Sequence, residues 1–457
     1  MPASTATMPD TVNVLLIGGG GREHALAWKL RQSPRLGRLW VEESANAGLK
    51  AIAEVCPEPT TDRDHFRLER WCERESIGLV IIGPEAPLAA GWADRLATPE
   101  RPVFGPVKAG ARLEADKAWA KDIMRAASIP TAEGRTFTRL AQALAFAETR
   151  EEGCVVKAAG LAAGKGVVVC DTPEEAAEAV RMIMGDDPER PGRGSFGEAG
   201  TTVVIEEKLL GQEMSVLALV DGRSIWVLDP CQDHKQVGEG DVGPNTGGMG
   251  AYCPTPLATE EIMREIERDV LVPTIDALRR EGITFRGVLY AGLMLTTGGP
   301  KVLEFNCRFG DPECQPLMAR LKGDVLETLW ATATGRLDDL AEAGRGLETD
   351  SRTACCVVLC SEGYPGKIST GHEITGIEDA EACGGPDEEV KVFHAGTTTD
   401  ADGRLVTSGG RVLGVTALAA DLERAQALAN EAAGKIAFRG AFFRTDIGSR
   451  VLDSRPA

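Results

Sequence analysis

Short apolar runs that end in glycine alternate with amphipathic stretches over the first hundred residues. Val12–Ile17 is apolar except at Asn13 and runs into Gly18–Gly21, after which Arg22-Glu23-His24 opens a helical pattern reaching about Arg31. Leu39–Val41, Leu79–Ile82 and Val103–Phe104 read as further short strands, and His65–Arg74 and Leu88–Leu96 as helices. Strands apolar on both faces, alternating with helices, predict a parallel sheet covered on both sides.

Beyond this, Ala109–Ala127 predicts one helix carrying Asp116-Lys117, with a boundary at Pro130-Thr131. Cys154–Lys157 and Val167–Cys170 predict a hairpin around the small-residue stretch 158–166, and Val203–Lys208 a strand that ends in charge. Gly238–Gly250 holds Gly-Pro-Asn-Thr-Gly-Gly-Met-Gly at 243–250, and so much glycine predicts an irregular ligand-binding loop, too flexible for helix or strand. Glu260–Arg280 reads as an amphipathic helix kinked at Pro273. Phe285–Leu295 should be a strand that turns at Gly298-Gly299 into Lys301–Asn306, a hairpin in a central sheet. Alternation along that second strand puts Glu304 and Asn306 on one face and Leu303 and Phe305 in the core. After Asp350, strands are expected at Ala354–Cys360, Val390–His394 and Arg411–Thr416, a helix at Leu422–Ile436, and a closing segment at Phe442–Ile447.

The 457 residues suit roughly two to four domains. A formal net charge of −19 excludes nucleic acid and anionic membrane as natural partners. Phosphate ligands would require the cations to be concentrated in one place. Twelve cysteines without a Cys-x-x-Cys or zinc spacing, most of them among apolar residues, predict reduced core thiols. His394 reads as a satisfied structural histidine. Residues 1–11 form a polar extension, and no apolar run has membrane-spanning length, so a soluble cytoplasmic protein is expected.

Candidate chemistry concentrates at Lys301–Glu313. Glu304 and Asn306 offer hard oxygen donors suited to Mg²⁺ or Mn²⁺, Arg308 a planar cation for a carboxylate or phosphoryl group, and Asp311 and Glu313 flank a proline turn. The 18–21 turn lacks the third dinucleotide glycine, Glu23 standing there, yet its amides and Arg22 could hold a phosphate. The 157–166 stretch brings Lys157, Gly164, Lys165 and Gly166 together as a phosphate-covering flap. It is no Walker loop, because Gly166 stands where a metal-binding hydroxyl belongs, which leaves Glu304 and Asn306 as the available metal pair. Backbone around Glu206, Glu207 and Leu209 could read an adenine while a carboxylate takes the ribose; a strand leaving the core for solvent is the plainer alternative.

Eight motifs in order carry a resemblance. They are residues 20–25 (GGREHA), 83–88 (GPEAPL), 160–167 (GLAAGKGV), 232–235 (QDHK), 243–252 (GPNTGGMGAY), 304–313 (EFNCRFGDPE), 392–397 (VFHAGT) and 444–448 (RTDIG). The chain resembles the ATP-grasp ligases, specifically the glycinamide ribonucleotide synthetases (phosphoribosylamine–glycine ligases). The resemblance implies a mixed α/β and α+β chain: a Rossmann-like domain at 12–108, an ATP-grasp domain at 109–330 with a mobile lid near 126–195, and a β-rich domain at 331–457. It implies ATP and a divalent cation, with glycine and 5-phosphoribosylamine as co-substrates, and a monomer or dimer of a single activity. Arg308, Lys165 and Asp311 would be catalytic. Lys117, Lys157, Gly164, Lys165, Gly166, Glu206, Glu207, Leu209 and Glu213 would bind ATP, with Glu213 on the ribose. Gly20, Gly21, Arg22, Glu23, Asn46, Asp233, Asn245, Thr246, Gly247, Gly248, Arg308 and Asp311 would surround the smaller substrates. The chain departs from the family pattern at Ala159, where Asp is usual, at Asp116, where Ser is usual, and in the loop 44–48. Another ATP-grasp ligase, an oxidoreductase or a non-catalytic nucleotide-binding module are the competing classes.

Overall fold

The computed structural model describes residues 8–58, 60, 65–162, 166–186 and 194–453. Five parallel strands form the first sheet in the order Glu54–Val55, Leu36–Val41, Val12–Ile17, Ile77–Ile82, Val103–Phe104. Both faces of its central strand are buried. Val14 and Leu16 pack with Leu26 and Leu30, whereas Leu15 and Ile17 pack with Leu68 and Trp71. This is the parallel α/β unit that the apolar strands predict.

Three larger antiparallel sheets follow among the described residues, beside two two-stranded ones. Gly134–Phe137, Val203–Glu207, Cys154–Ala158 and Val167–Cys170 pair in that order, and the helices Leu140–Ala147 and Pro173–Met184 share a core with them. Ile225–Val227, Gln212–Val220, Gly287–Thr296 and Gly299–Asn306 form the second. The third joins Gln232–Gly238, Val242–Cys253, Thr353–Cys360, Arg411–Ala419 and Glu389–His394, with the helix Leu422–Ala433 packed against it. Among the described residues no helix is long and apolar enough to cross a membrane. Eleven of the twelve cysteines are buried, and all are free thiols.

The structure corrects several expectations. Leu88–Leu96 is two short helices, because Gly91 takes φ +85° and closes the first. Ala109–Ala127 breaks at Asp116, whose carboxylate caps the second helix by accepting the Trp119 N–H at 3.0 Å. The irregularity in Glu260–Arg280 is a π-helical turn, Glu267–Leu271, just before Pro273, whose missing N–H and ring disfavour regular α-helix there. The glycine-rich 243–250 stretch is not a loop but part of the strand Val242–Cys253. It pairs with Gln232–Gly238 on one side and Thr353–Cys360 on the other. Pairing with Gln232–Gly238, Asn245 facing Gln236 and Gly250 facing His234, outweighs the entropy of the glycines, and Thr353–Cys360 joins only from Gly250 onward.

Candidate active site

Glu304 and Asn306 lie near the end of Gly299–Asn306, which is an edge strand of its sheet rather than a central one. Its pairing slips by one residue, Leu293 facing Val302 and Gly292 facing Glu304, so Leu303 is a bulge residue. Val302 and Phe305 therefore fill the core, and Leu303 does not. The bulge leaves Glu304 and Asn306 on one face. Among the described residues no hydrogen bond or ion pair holds the Glu304 carboxylate, and Asn306 Oδ1 accepts only a long 3.4 Å bond from Arg308. A carboxylate and an amide oxygen with capacity to spare fit a hard divalent cation that keeps waters or phosphate oxygens as its other ligands.

Arg308 stands beside this pair between two carboxylates, Glu114 at 2.9 Å and Glu85 at 3.4 Å. Burial works against its charge, but Glu114 and Glu85 outweigh burial and hold the guanidinium protonated. Lys117 opens the helix Lys117–Ala126 and reaches toward the Gly160 carbonyl. Burial lowers its pKa, opposed by the nearby charge of Glu304. Lys157 reaches across from the hairpin, donating to the Leu303 carbonyl at 2.9 Å and pairing with Glu206 at 2.8 Å.

Glu206 is a correction. Its side chain is buried between Lys157 and Lys121, the latter at 3.0 Å, and its backbone is paired with strands on both sides. Glu207 is likewise in the ladder and holds Lys301 at 2.9 Å. Lys208 and Leu209 follow this strand and stand outside its ladder. Gly164 and Lys165 lie outside the described residues. Gly166 sits so close to Ala162 and Ala158 that a Cβ there would fall 2.5 and 3.0 Å from theirs.

Glu213 pairs with Lys235, which holds its carboxyl below the usual range despite burial. Asp233 lies 3.7 Å from the same ammonium, yet burial pushes its pKa up to about 7. Thr246 bonds the Lys235 carbonyl at 2.7 Å, and Gly248 N–H donates to Thr246. Asn245 faces Gln236 across the ladder. Arg411 donates to the carbonyls of Gly247 and Asp311 at 2.6 and 2.7 Å and pairs with the Asp311 carboxylate at 3.2 Å. Burial opposes the charge of Asp311, and Arg411 with Arg22 holds it ionised. That carboxylate faces the glycine turn: a Cβ on Gly20 would lie 3.6 Å from it.

The turn itself differs from a simple phosphate cradle. Glu23 reaches back to accept the Gly20 N–H at 2.8 Å and the Arg22 Nε at 2.6 Å, so the chain's own carboxylate occupies the anion position. Gly21 is packed against Gln315, whose amide would lie 2.8 Å from a Cβ there. Asn46 donates to the carbonyls of Gly19, Gly20 and His394 and caps the helix Ala47–Ile52. Its amide is fully engaged in holding the turn to the strand Glu389–His394. Glu85, Glu114, Lys121 and Arg411 were not signalled as site residues by sequence. The first belongs to a recognisable motif, 83–88; the others have no local pattern.

A buried imidazole, His24, and a half-buried one, His394, fix the same junction. His24 Nδ1 accepts the His394 N–H at 2.7 Å, and His394 bonds Thr397, the satisfied role expected of it. Burial lowers His24 from 6.5 to about 3 and His394 to about 4; His234, which accepts the Gly448 N–H, is lowered to about 3. Folded-state values below the unfolded one mean that the native chain binds fewer protons in this window. Stability is then complete above pH 6.5 and is lost as pH falls toward 3 to 4. Each imidazole contributes a limiting slope of about 1.4 kcal/mol per pH unit. His24→Gln, whose amide oxygen can accept the same bond, should flatten denaturant-measured stability between pH 6 and 4.5 by about one proton; an unchanged slope would refute this.

Comparison with known proteins places this arrangement. The fold is that of the ATP-grasp proteins. The biotin carboxylase domain of the Hydrogenobacter thermophilus 2-oxoglutarate carboxylase shares it with a TM-score of 0.69 at 15% identity, over 95% of this chain and 92% of that one. The phosphoribosylglycinamide synthetase N, ATP-grasp (A) and C domains match residues 12–114, 115–314 and 354–450, and the chain belongs to that family. It is 48% identical over 447 residues to the phosphoribosylamine–glycine ligase of Rhodopirellula baltica, covering 96% of this chain and 98% of that one. It is 46% identical to the trifunctional purine biosynthetic protein adenosine-3 of Gallus gallus, of which it spans 42%. The crystal structure of the Thermotoga maritima phosphoribosylamine–glycine ligase matches with a TM-score of 0.76 at 32% identity, over 95% and 100% of the two chains.

Proposed function

We propose that the chain is the ATP-dependent ligase that joins glycine to 5-phospho-β-D-ribosylamine, giving glycinamide ribonucleotide, ADP and phosphate. Family membership over nearly the whole chain supports the activity. The observation that carries the chemistry is the face shared by Glu304, Asn306 and Arg308, with Lys117 and Lys157 beside it.

A carboxylate is a poor electrophile toward an amine at neutral pH. The γ-phosphoryl group of ATP passes to a glycine carboxylate oxygen, giving glycyl phosphate and ADP. The ribosylamine nitrogen then attacks the acyl carbon, the bond to the phosphate oxygen breaks, and the nitrogen gives up a proton. No covalent enzyme nucleophile is needed, so the protein contributes position and charge. Glu304 and Asn306 would hold Mg²⁺ or Mn²⁺, which supplies neutralisation of the β- and γ-phosphate charge. Lys117 and Lys157 add fixed positive charge, and Arg308 stabilises the transferring group. Lys165 would add its charge to the phosphates, and Glu213 takes the ribose while Lys208–Leu209 backbone meets the base. Asp311, held ionised beside Arg411, faces the glycine turn and orients the amine.

ADP release tests this, measured with ATP, Mg²⁺, glycine and fresh phosphoribosylamine and each omitted in turn. Release that requires both co-substrates is expected; release with another acid or amine would move the function elsewhere in the ATP-grasp class. Lys165→Ala should raise the KM for ATP by about tenfold, the loss of one charge-assisted phosphate contact. An unchanged KM would return that stretch to a structural role.

A further inference from the structure

Glu114 lies in the last turn of the helix Lys108–Ala115 and is 7% exposed. For stability alone it is poorly placed. A carboxylate near a helix C-terminus opposes the helix dipole, and burial of a charge is costly even when it is paired. Its two oxygens are nevertheless both used on one short segment: Oε2 accepts the Cys307 N–H at 2.8 Å and Oε1 pairs with Arg308 Nη2 at 2.9 Å. One rigid group thus fixes the backbone before Arg308 and the far end of its guanidinium. The opposite edge is held less firmly. Arg308 Nε is buried without a hydrogen-bond partner, and its nearest carboxylate, Glu85 at 3.4 Å, is more exposed than Glu114.

We infer that Glu114 is a positioning residue for the ligase reaction, clamping Arg308 so that Nε is presented to the anion undergoing phosphoryl or acyl transfer. Glu85 neutralises that edge until the substrate oxygen takes its place. An arginine carrying a long side chain loses rotamer freedom on being fixed, and the clamp removes this cost from the transition state. This rests on the role of Arg308 proposed above.

The test compares Glu114→Gln, Glu114→Asp and Arg308→Gln in the full-length enzyme by kcat, KM for ATP and thermal melting. Glu114→Gln keeps shape but loses the charge that pulls on Arg308. It should lower kcat per folded enzyme by tenfold to a hundredfold, an effect of the size seen for groups that orient a functional side chain, with KM for ATP within twofold and a lowered melting temperature that still leaves the enzyme folded at the assay temperature. Glu114→Asp, too short to reach both partners, should also lose kcat. A Glu114→Gln kcat within twofold of wild type, with Arg308→Gln impaired, overturns the inference alone. Arg308→Gln near wild type overturns the Arg308 role itself. A fall of kcat only in step with lost folded protein assigns Glu114 to stability and also overturns the inference.

Discussion

Glu304→Ala should lower kcat by about a thousandfold, roughly 4 kcal/mol of lost transition-state stabilisation, without unfolding the chain. The reason lies in how the carboxylate is held. No described residue hydrogen-bonds or ion-pairs with it, so among the described residues its removal breaks no such bond, and it sits at a bulge on an edge strand whose core side is supplied by Val302 and Phe305. Its loss should leave the positive charge of Lys117 closer to ordinary desolvation, since Glu304 is the main group opposing burial there. Steady-state turnover with saturating ATP and a melting curve suffice as the check. Near-normal kcat would remove Glu304 and Asn306 from the metal role.

The opposite pattern is expected at Glu206. Glu206→Ala leaves the Lys121 and Lys157 ammonium groups buried without their shared counter-charge. Breaking a buried pair by removing one partner costs about 3–5 kcal/mol, so the apparent melting temperature should fall by on the order of 10 °C. Lys121 keeps Thr131 and the Ala132 carbonyl, and Lys157 keeps the Leu303 carbonyl, so the strand ends should stay in register while the pair loosens. A second change, Lys121→Met, should recover part of the loss by removing one of the stranded charges. Melting within 2 °C of wild type, set against the roughly 10 °C expected, would show that water reaches these lysines and screens them.

The two substitutions separate what sequence makes legible from what it hides. Glu304, Asn306 and Arg308 are close in the chain, and their chemistry and strand spacing can be read together. The parallel sheet is legible for a similar reason: Leu15 and Leu16 are both apolar, which only a strand covered on both faces explains. Glu206 also looks like a site residue in sequence, but its charge belongs to a salt-bridge cluster built from three separate elements. Glu114 gave no signal, because the Cys307 amide it accepts lies 193 positions away. The bulge at Leu303 is likewise set by the register of the neighbouring strand, Gly287–Thr296. Residues 243–250 carry the composition of a loop, and it is pairing with the preceding strand, Gln232–Gly238, that makes them a strand.

That strand ties the middle of the chain to its end. Val242–Cys253 completes a sheet with Thr353–Cys360, while Arg411 and Tyr364 grip Gly247 from the same later region. The C-terminal region is therefore not a detachable module. Severed from it, the central portion would present the unpaired amides and carbonyls of Gly250–Cys253 as a new edge, open to pairing with other chains. The strand Val242–Cys253 and the last hundred residues are, in mechanical terms, one girder, and a strain applied at either end is felt at the other.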